Sequence, residues 1–279
     1  MKNTLPSLAL CSLFASLASY SLAAAPAAEG LIKNLAKASQ NPVANLISVP
    51  FENNFTTNNG SEDGNVNVLN IKPVIPMALN EDWNLINRMI IPVMYQEQRF
   101  PGEGDQFGIG DITYQGFFSP AAPGDWIWGV GPQVTVPTGT DQRFSSDKLA
   151  IGPAVVVLMM PGKWVIGGVV SNIWDVAGSS SDGQVNEMTL QPFVNYNMDD
   201  GWYLSTAPVI TANWAADDSS DTWTIPIGGG IGRVFSIGKQ PVNVKCAAYY
   251  NVEKPKYGPD MNFQVSVTFL FPKNKPASQ

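Results

Sequence analysis

The residues able to do chemistry in this chain are few, and one type is missing. There is no histidine among the 279 residues. Ser-His catalysis, imidazole-bound zinc and a histidine acid or base are therefore excluded. Serine and aspartate are plentiful, but a Ser-Lys arrangement has only Lys245 as an interior lysine, and nothing makes it catalytic. Gly228-Gly229-Gly230-Ile231-Gly232 lacks the spacing and the lysine of a phosphate loop, and no helix follows it. These glycines read as relief from crowding inside a curved strand. Asp141 and Asp147, or Asp217, Asp218 and Asp221, offer calcium ligands or lipid bridges, though solvated loop acids are the commoner explanation. No catalytic residue, metal or cofactor is expected, and the chain is not expected to be an enzyme.

A set of polar residues sharing strand faces carries the more specific expectation. Arg88, Asp111, Gln115, Glu187, Gln191, Asn195, Lys245, Tyr249 and Gln264 all fall on the face opposite an apolar one, as does Lys72. Among them lie Ile86, Ile90, Phe117, Val156, Val165 and Val209. Together they would line a lumen of mixed charge suited to amphipathic or apolar solutes. The bland alternative is that the charges pair across a closed core.

Elements able to hold such a face follow from periodicity. After a helical stretch at Glu29 to Gln40, with Leu31, Ile32, Leu35 and Ala36 at helix spacing, no second amphipathic helix appears. Period-two alternation takes over in twelve segments, near 46–56, 65–77, 83–96, 107–119, 125–137, 147–160, 163–176, 186–198, 202–215, 222–235, 241–253 and 260–271. In the last, Phe263, Val265, Val267, Phe269 and Phe271 oppose Gln264, Ser266 and Thr268. Short turns alternate with longer polar loops. An even strand number with that alternation predicts an all-β antiparallel transmembrane β-barrel of about twelve strands, its ends at the short-turn, periplasmic rim, with a short N-terminal helix there. Pro73, Pro92, Pro132, Pro153, Pro192, Pro208 and Pro226 fall inside the strands and argue against a closed sheet, since each costs about one ladder hydrogen bond unless it sits at a bulge.

Composition agrees with this plan. Charged residues make up 14% of the chain, against about 25% in soluble domains, while 44% hydrophobic is ordinary. Trp83, Trp126, Trp164 and Trp202 follow short turns, and Trp174, Trp214 and Trp223 adjoin long loops, all on the apolar face. They mark two aromatic girdles. A secreted sandwich would instead carry polar residues on its outer face.

Residues 1–24 read as a signal peptide: Lys2, an apolar stretch from Leu5 to Leu22, then small residues, with the cut after Ala23 or Ala25. Loss of Cys11 with it leaves Cys246 and no internal disulfide. The remaining chain has 15 bases against 23 acids, a poor match for nucleic acid. The expected organisation is 1–24 signal, 25–45 helical plug, 46–271 barrel and 272–279 tail. Outer-membrane lipid and a small solute are the expected partners; the oligomeric state is not legible.

Particular stretches resemble one family. They are Gln40-Asn41-Pro42-Val43-Ala44-Asn45-Leu46-Ile47-Ser48-Val49-Pro50-Phe51-Glu52-Asn53-Asn54, Phe107-Gly108-Ile109-Gly110-Asp111, and Gly201-Trp202-Tyr203-Leu204-Ser205-Thr206-Ala207-Pro208. Gly238-Lys239-Gln240-Pro241-Val242-Asn243, Ala248-Tyr249-Tyr250-Asn251-Val252 and the closing Phe269-Leu270-Phe271-Pro272 match too. They are similar to bacterial outer-membrane proteins named for the meta-pathway of phenol degradation, often labelled neuromedin U. The resemblance implies an outer-membrane barrel with a role in uptake of aromatic or other apolar compounds. It brings no established site residues. The expected function is a passive channel for such solutes, which removal of residues 28–40 should open further. The alternative is a non-transporting barrel with structural or surface-binding duties.

Overall fold

The computed structural model describes residues 26–178 and 183–272; the proposed signal and the last seven residues lie outside them. A helix, α1 (Pro26–Ser39), precedes fifteen strand segments. These are β1 (Ile47–Asn59), β2 (Gly64–Ile71), β3 (Val74–Ala78), β4 (Trp83–Gln96), β5 (Gln106–Ile109), β6 (Ile112–Pro120), β7 (Trp126–Val136), β8 (Lys148–Met159), β9 (Trp164–Gly178), β10 (Asn186–Asn197), β11 (Trp202–Thr206), β12 (Ile210–Asn213), β13 (Trp223–Ile237), β14 (Gln240–Glu253) and β15 (Met261–Phe271). Three pairs, β2/β3, β5/β6 and β11/β12, are single staves interrupted once, so the staves number twelve. Neighbours pair antiparallel all the way round; β15 meets β1 and β9 meets β10, which closes the ring. No helix among the described residues is long and apolar enough to cross a membrane.

The prolines explain the interruptions. Pro73 separates β2 from β3 and Pro208 lies between β11 and β12. Pro92 faces the break at Gly110-Asp111, and the Gly110 N–H donates to its carbonyl at 2.9 Å. Pro132 and Pro153 oppose each other across β7 and β8. On their far sides the ladders lapse, between Gln115/Gln133 and Phe118/Val130 and between Ile151/Trp174 and Ala154/Ser171. Pro192 sits in the lapse opposite Pro208, and Pro226 at a register shift against β14. A proline has no N–H to orphan, so each gap leaves fewer unpaired donors in the wall.

Alternation assigns the two faces. Outward positions such as Val157, Ile166, Val170, Leu204 and Ile231 are exposed, and their inward neighbours Val156, Val165 and Val169 are buried. Two outward polar side chains are engaged by neighbours on that surface. Asn172 accepts from the Trp214 indole at 3.0 Å, and Arg233 stacks over Trp202 at 5.1 Å while donating to the Asp200 carbonyl. The apolar outer band makes a testable demand. Val170→Arg should cost about 2–4 kcal/mol of folding stability in lipid vesicles, the cost of a cation near the lipid midplane. Val209→Arg, on the lumen side, should cost much less. Urea titration of the two variants measures the difference; equal costs would mean the faces are misassigned.

Helix α1 lies at the short-turn end, inside the mouth. Leu35 and Ala36 pack with Leu46, Tyr203, Val234 and Leu270 in one buried cluster. Tyr203 can lie there because its cross-strand partner is Gly232; a Cβ at that position would stand 2.2 Å from the ring. Val43, just beyond the helix, enters a second cluster with Ile86, Phe117, Val156 and Val165.

Candidate functional site

Four charged side chains line the waist of the barrel within a run of five consecutive staves. Glu52 of β1 and Lys245 of β14 both pair with Ser266 of the intervening β15, which puts them in one row across the sheet. Lys72, at the proline break after β2, reaches Glu52 at 2.5 Å. Asn54 donates to the same carboxylate at 3.2 Å. Arg88 of β4 extends over the Phe117 ring, 6.0 Å from its centroid. Three cations therefore surround one carboxylate. Glu187, on β10, belongs to the opposite wall.

Two cavities join at this waist. The outer one, about 580 Å³, opens toward the loops and is walled by residues including Asn54, Gln133, Glu187, Thr189, Val209 and Asn262. The inner one, about 190 Å³, reaches down to Ser39, Gln40 and Pro42, with Phe193, Asn243 and Lys245 in its walls. Glu52, Lys72, Arg88, Gln191 and Ala207 line both. Below, the floor is held by polar ties. Gln40 and Asn197 exchange amide hydrogen bonds at 2.9 and 3.1 Å, and Asn243 donates to Ser39 at 3.2 Å while accepting from Tyr203 at 2.8 Å. Lys37 donates to the Gly162 carbonyl. The lumen thus runs from a polar vestibule through a charged waist to an apolar, helix-filled base.

Arg88, Gln115, Glu187, Gln191, Tyr249 and Gln264, proposed from the sequence as lumen residues, line the outer cavity. Asn195 and Lys245 line the inner one. Several are tied down: Gln115 to Gln133 at 2.7 Å, Gln264 to Asn54 at 3.1 Å, and the Tyr249 hydroxyl to the Ala207 N–H at 3.2 Å. Ile86, Phe117, Val156 and Val165 face inward but form packed core rather than channel wall.

Asp111 needs correction. It lies in the break between β5 and β6 and lines neither cavity. Its carboxylate accepts from the Thr138, Gly139 and Ser146 N–H groups and the Ser145 and Ser146 hydroxyls, fastening the 137–147 loop. Asp111→Ala should therefore release that loop at a cost of roughly 2 kcal/mol. Limited proteolysis would show new cleavage within 137–147 while the barrel band persists; unchanged resistance would refute the anchoring role. In the same loop Asp141 is held below the usual carboxylate range by the backbone and side-chain donors of Arg143. Asp260, outside the strands, is likewise lowered by Asn58 and Lys254.

Reading by alternation missed Glu52 and left Lys72 and Gln133 out of the lumen set. The signal existed for Glu52, since it shares parity with Asn54 in the first segment, but that segment alternates least regularly. Of the tryptophans, Trp83, Trp126, Trp164, Trp174 and Trp214 are exposed on the outer surface. Trp223 packs edge-on against Trp214 at 5.3 Å, and Trp202 lies under Arg233. Trp128, which contacts Trp83 at 5.8 Å, joins the short-turn girdle.

A closed ring of twelve antiparallel staves, apolar outside and polar within, defines a transmembrane β-barrel of the outer-membrane type. Over residues 52–175 the chain matches the family described as "Putative MetA-pathway of phenol degradation", and the resemblance carried by its motifs is borne out. Among solved structures it is similar to an outer membrane channel from Pseudomonas putida F1, at 18% identity and a TM-score of 0.64, over 83% of this chain and 97% of that one. The outer membrane phospholipase of Salmonella typhi aligns at 12% identity and 0.45, over 86% and 98%. A monoaromatic hydrocarbon channel aligns at 10% and 0.41, over 87% and 92%. No functionally curated protein matches the chain.

Proposed function

We infer that this barrel is a passive outer-membrane channel for small apolar or aromatic solutes, exported with a signal that is cut before α1. One observation carries the reading: two cavities of about 580 and 190 Å³ share a waist inside the barrel and end on a helix rather than on the wall. An eight-stranded barrel is filled by its side chains and one of sixteen strands leaves an aqueous channel, so twelve staves leave room for a narrow or plugged passage. The mixed lining favours solutes with an apolar body over hydrated ions, and the family match and the channel from Pseudomonas putida F1 support the same reading. Residues 25–45 act as the plug, and passage requires that it shift.

Vesicles with a lipopolysaccharide outer leaflet provide the test, because that leaflet resists apolar solutes. Incorporated protein should speed entry of a naphthalene-sized fluorescent aromatic over protein-free vesicles. Equal entry with and without protein, for the full chain and for a chain lacking residues 28–40, would end the channel reading.

A further inference from the structure

The waist has more positive charge than structure alone requires. Glu52 is engaged by Lys72 and Asn54, so one carboxylate is already matched to one ammonium. Arg88 and Lys245 lie within electrostatic reach of Glu52, yet among the described residues neither makes a hydrogen bond or ion pair to a carboxylate. Both line the inner cavity, whose charged residues are Lys72, Arg88, Lys245 and Glu52, an excess of two positive charges. Cations withdrawn from bulk water are costly unless paired. The cavity also supplies an apolar side, from Phe193, Val74, Pro42 and Pro50. Arg88 and Lys245 line this one cavity from β4 and β14, with Glu52 of β1 between those staves. A planar guanidinium can hold a carboxylate through two parallel hydrogen bonds, and an ammonium across the cavity adds a second positive charge.

We propose that the inner cavity binds the carboxylate of a small amphipathic acid, its headgroup between Arg88 and Lys245 and its apolar body against Phe193 and Val74. The proposal rests on the channel reading for its biological sense, and narrows the solute class from apolar compounds in general to monocarboxylates with an aromatic body. The aromatic acid enters through the outer vestibule, sheds its water at the waist and waits above the helix floor. Glu52 sets the strength of the site by offsetting part of the positive charge, so that a bound anion can leave again.

Equilibrium binding to the full-length protein in detergent micelles tests the site apart from flux. The probes are benzoate, its neutral counterpart benzyl alcohol, benzylamine, and acetate as an anion without a ring. Benzoate should bind best of the four. Arg88→Met and Lys245→Met should each weaken benzoate about ten-fold, the loss of a charge-assisted hydrogen bond, while benzyl alcohol changes little. If Arg88→Met fails to fold, Lys245→Met and Arg88→Lys carry the comparison. Benzoate binding no tighter than benzylamine, or acetate as tight as benzoate, overturns the proposal. Benzoate binding lost on substitution, in a protein that passes no solute in vesicles, upholds the site and overturns only the channel.

Discussion

Removal of residues 28–40 is expected to raise solute entry severalfold while the barrel persists. The reason lies in what those residues touch. Leu35 and Ala36 are almost wholly buried against Tyr203, Val234 and Leu270, inward side chains of three different staves. A buried leucine contributes about 1.5–3 kcal/mol by its removal from water, so the helix is firmly seated. Gln40 and Ser39 then close the cavity floor through Asn197 and Asn243. None of these contacts belongs to the ladders that close the ring, so their loss opens the mouth without unzipping a stave. Vesicle entry rates, read beside a gel showing that the truncated protein keeps its folded band, give the answer. Leu35→Asp should produce a smaller increase, because it unseats the helix and leaves the tether. Unchanged entry in a folded truncated protein would mean that the helix does not obstruct the path.

A second large effect is expected from Glu52→Gln. That carboxylate is the partner of Lys72 and the nearest countercharge of Arg88 and Lys245. Its neutralisation leaves three cations lining the same cavity without a carboxylate among them. Breaking a buried pair by removing one member typically costs about 3–5 kcal/mol, mostly from the charge left behind. Only about a fifth of the Lys72 and Glu52 side chains is exposed, so the lower end of that range is the expected loss. Adding Lys72→Met to Glu52→Gln should restore a good part of it, since the double variant removes the pair as a unit. Urea midpoints of the three proteins in lipid measure this. A loss below about 1 kcal/mol for Glu52→Gln would place the pair in water, where ion pairs contribute little.

Much of the wall was legible because a strand's alternation is local. The segment expected at 83–96 is β4, residue for residue, and those at 125–137 and 186–198 differ from β7 and β10 by a single residue at one or both ends. The prolines, anomalous in a strand read alone, make sense only beside their neighbours: Pro132 and Pro153 face each other, and Pro92 faces Gly110. Asp111 misled for the same reason. Parity placed it inward, but the break at Gly110-Asp111 releases it from the pleat, and its carboxylate turns to the loop. Lys72, Arg88, Gln191 and Lys245 were each legible as inward residues, but their convergence with Glu52 at one waist was not. Glu52 and Lys245 are distant in sequence and meet only because both register on Ser266. Register between staves is set by the closure of the whole ring.

Solute crossing the proposed channel must pass through the waist. Ala207 lines both cavities there, and its small side chain leaves the junction open. Ala207→Trp should fill it without adding charge. Measured in lipopolysaccharide-covered vesicles, the folded variant is predicted to admit the aromatic probe at close to the protein-free rate, in the full chain and after removal of residues 28–40 alike. Entry at the unsubstituted rate in a folded Ala207→Trp barrel would contradict the account, because the path would then lie elsewhere.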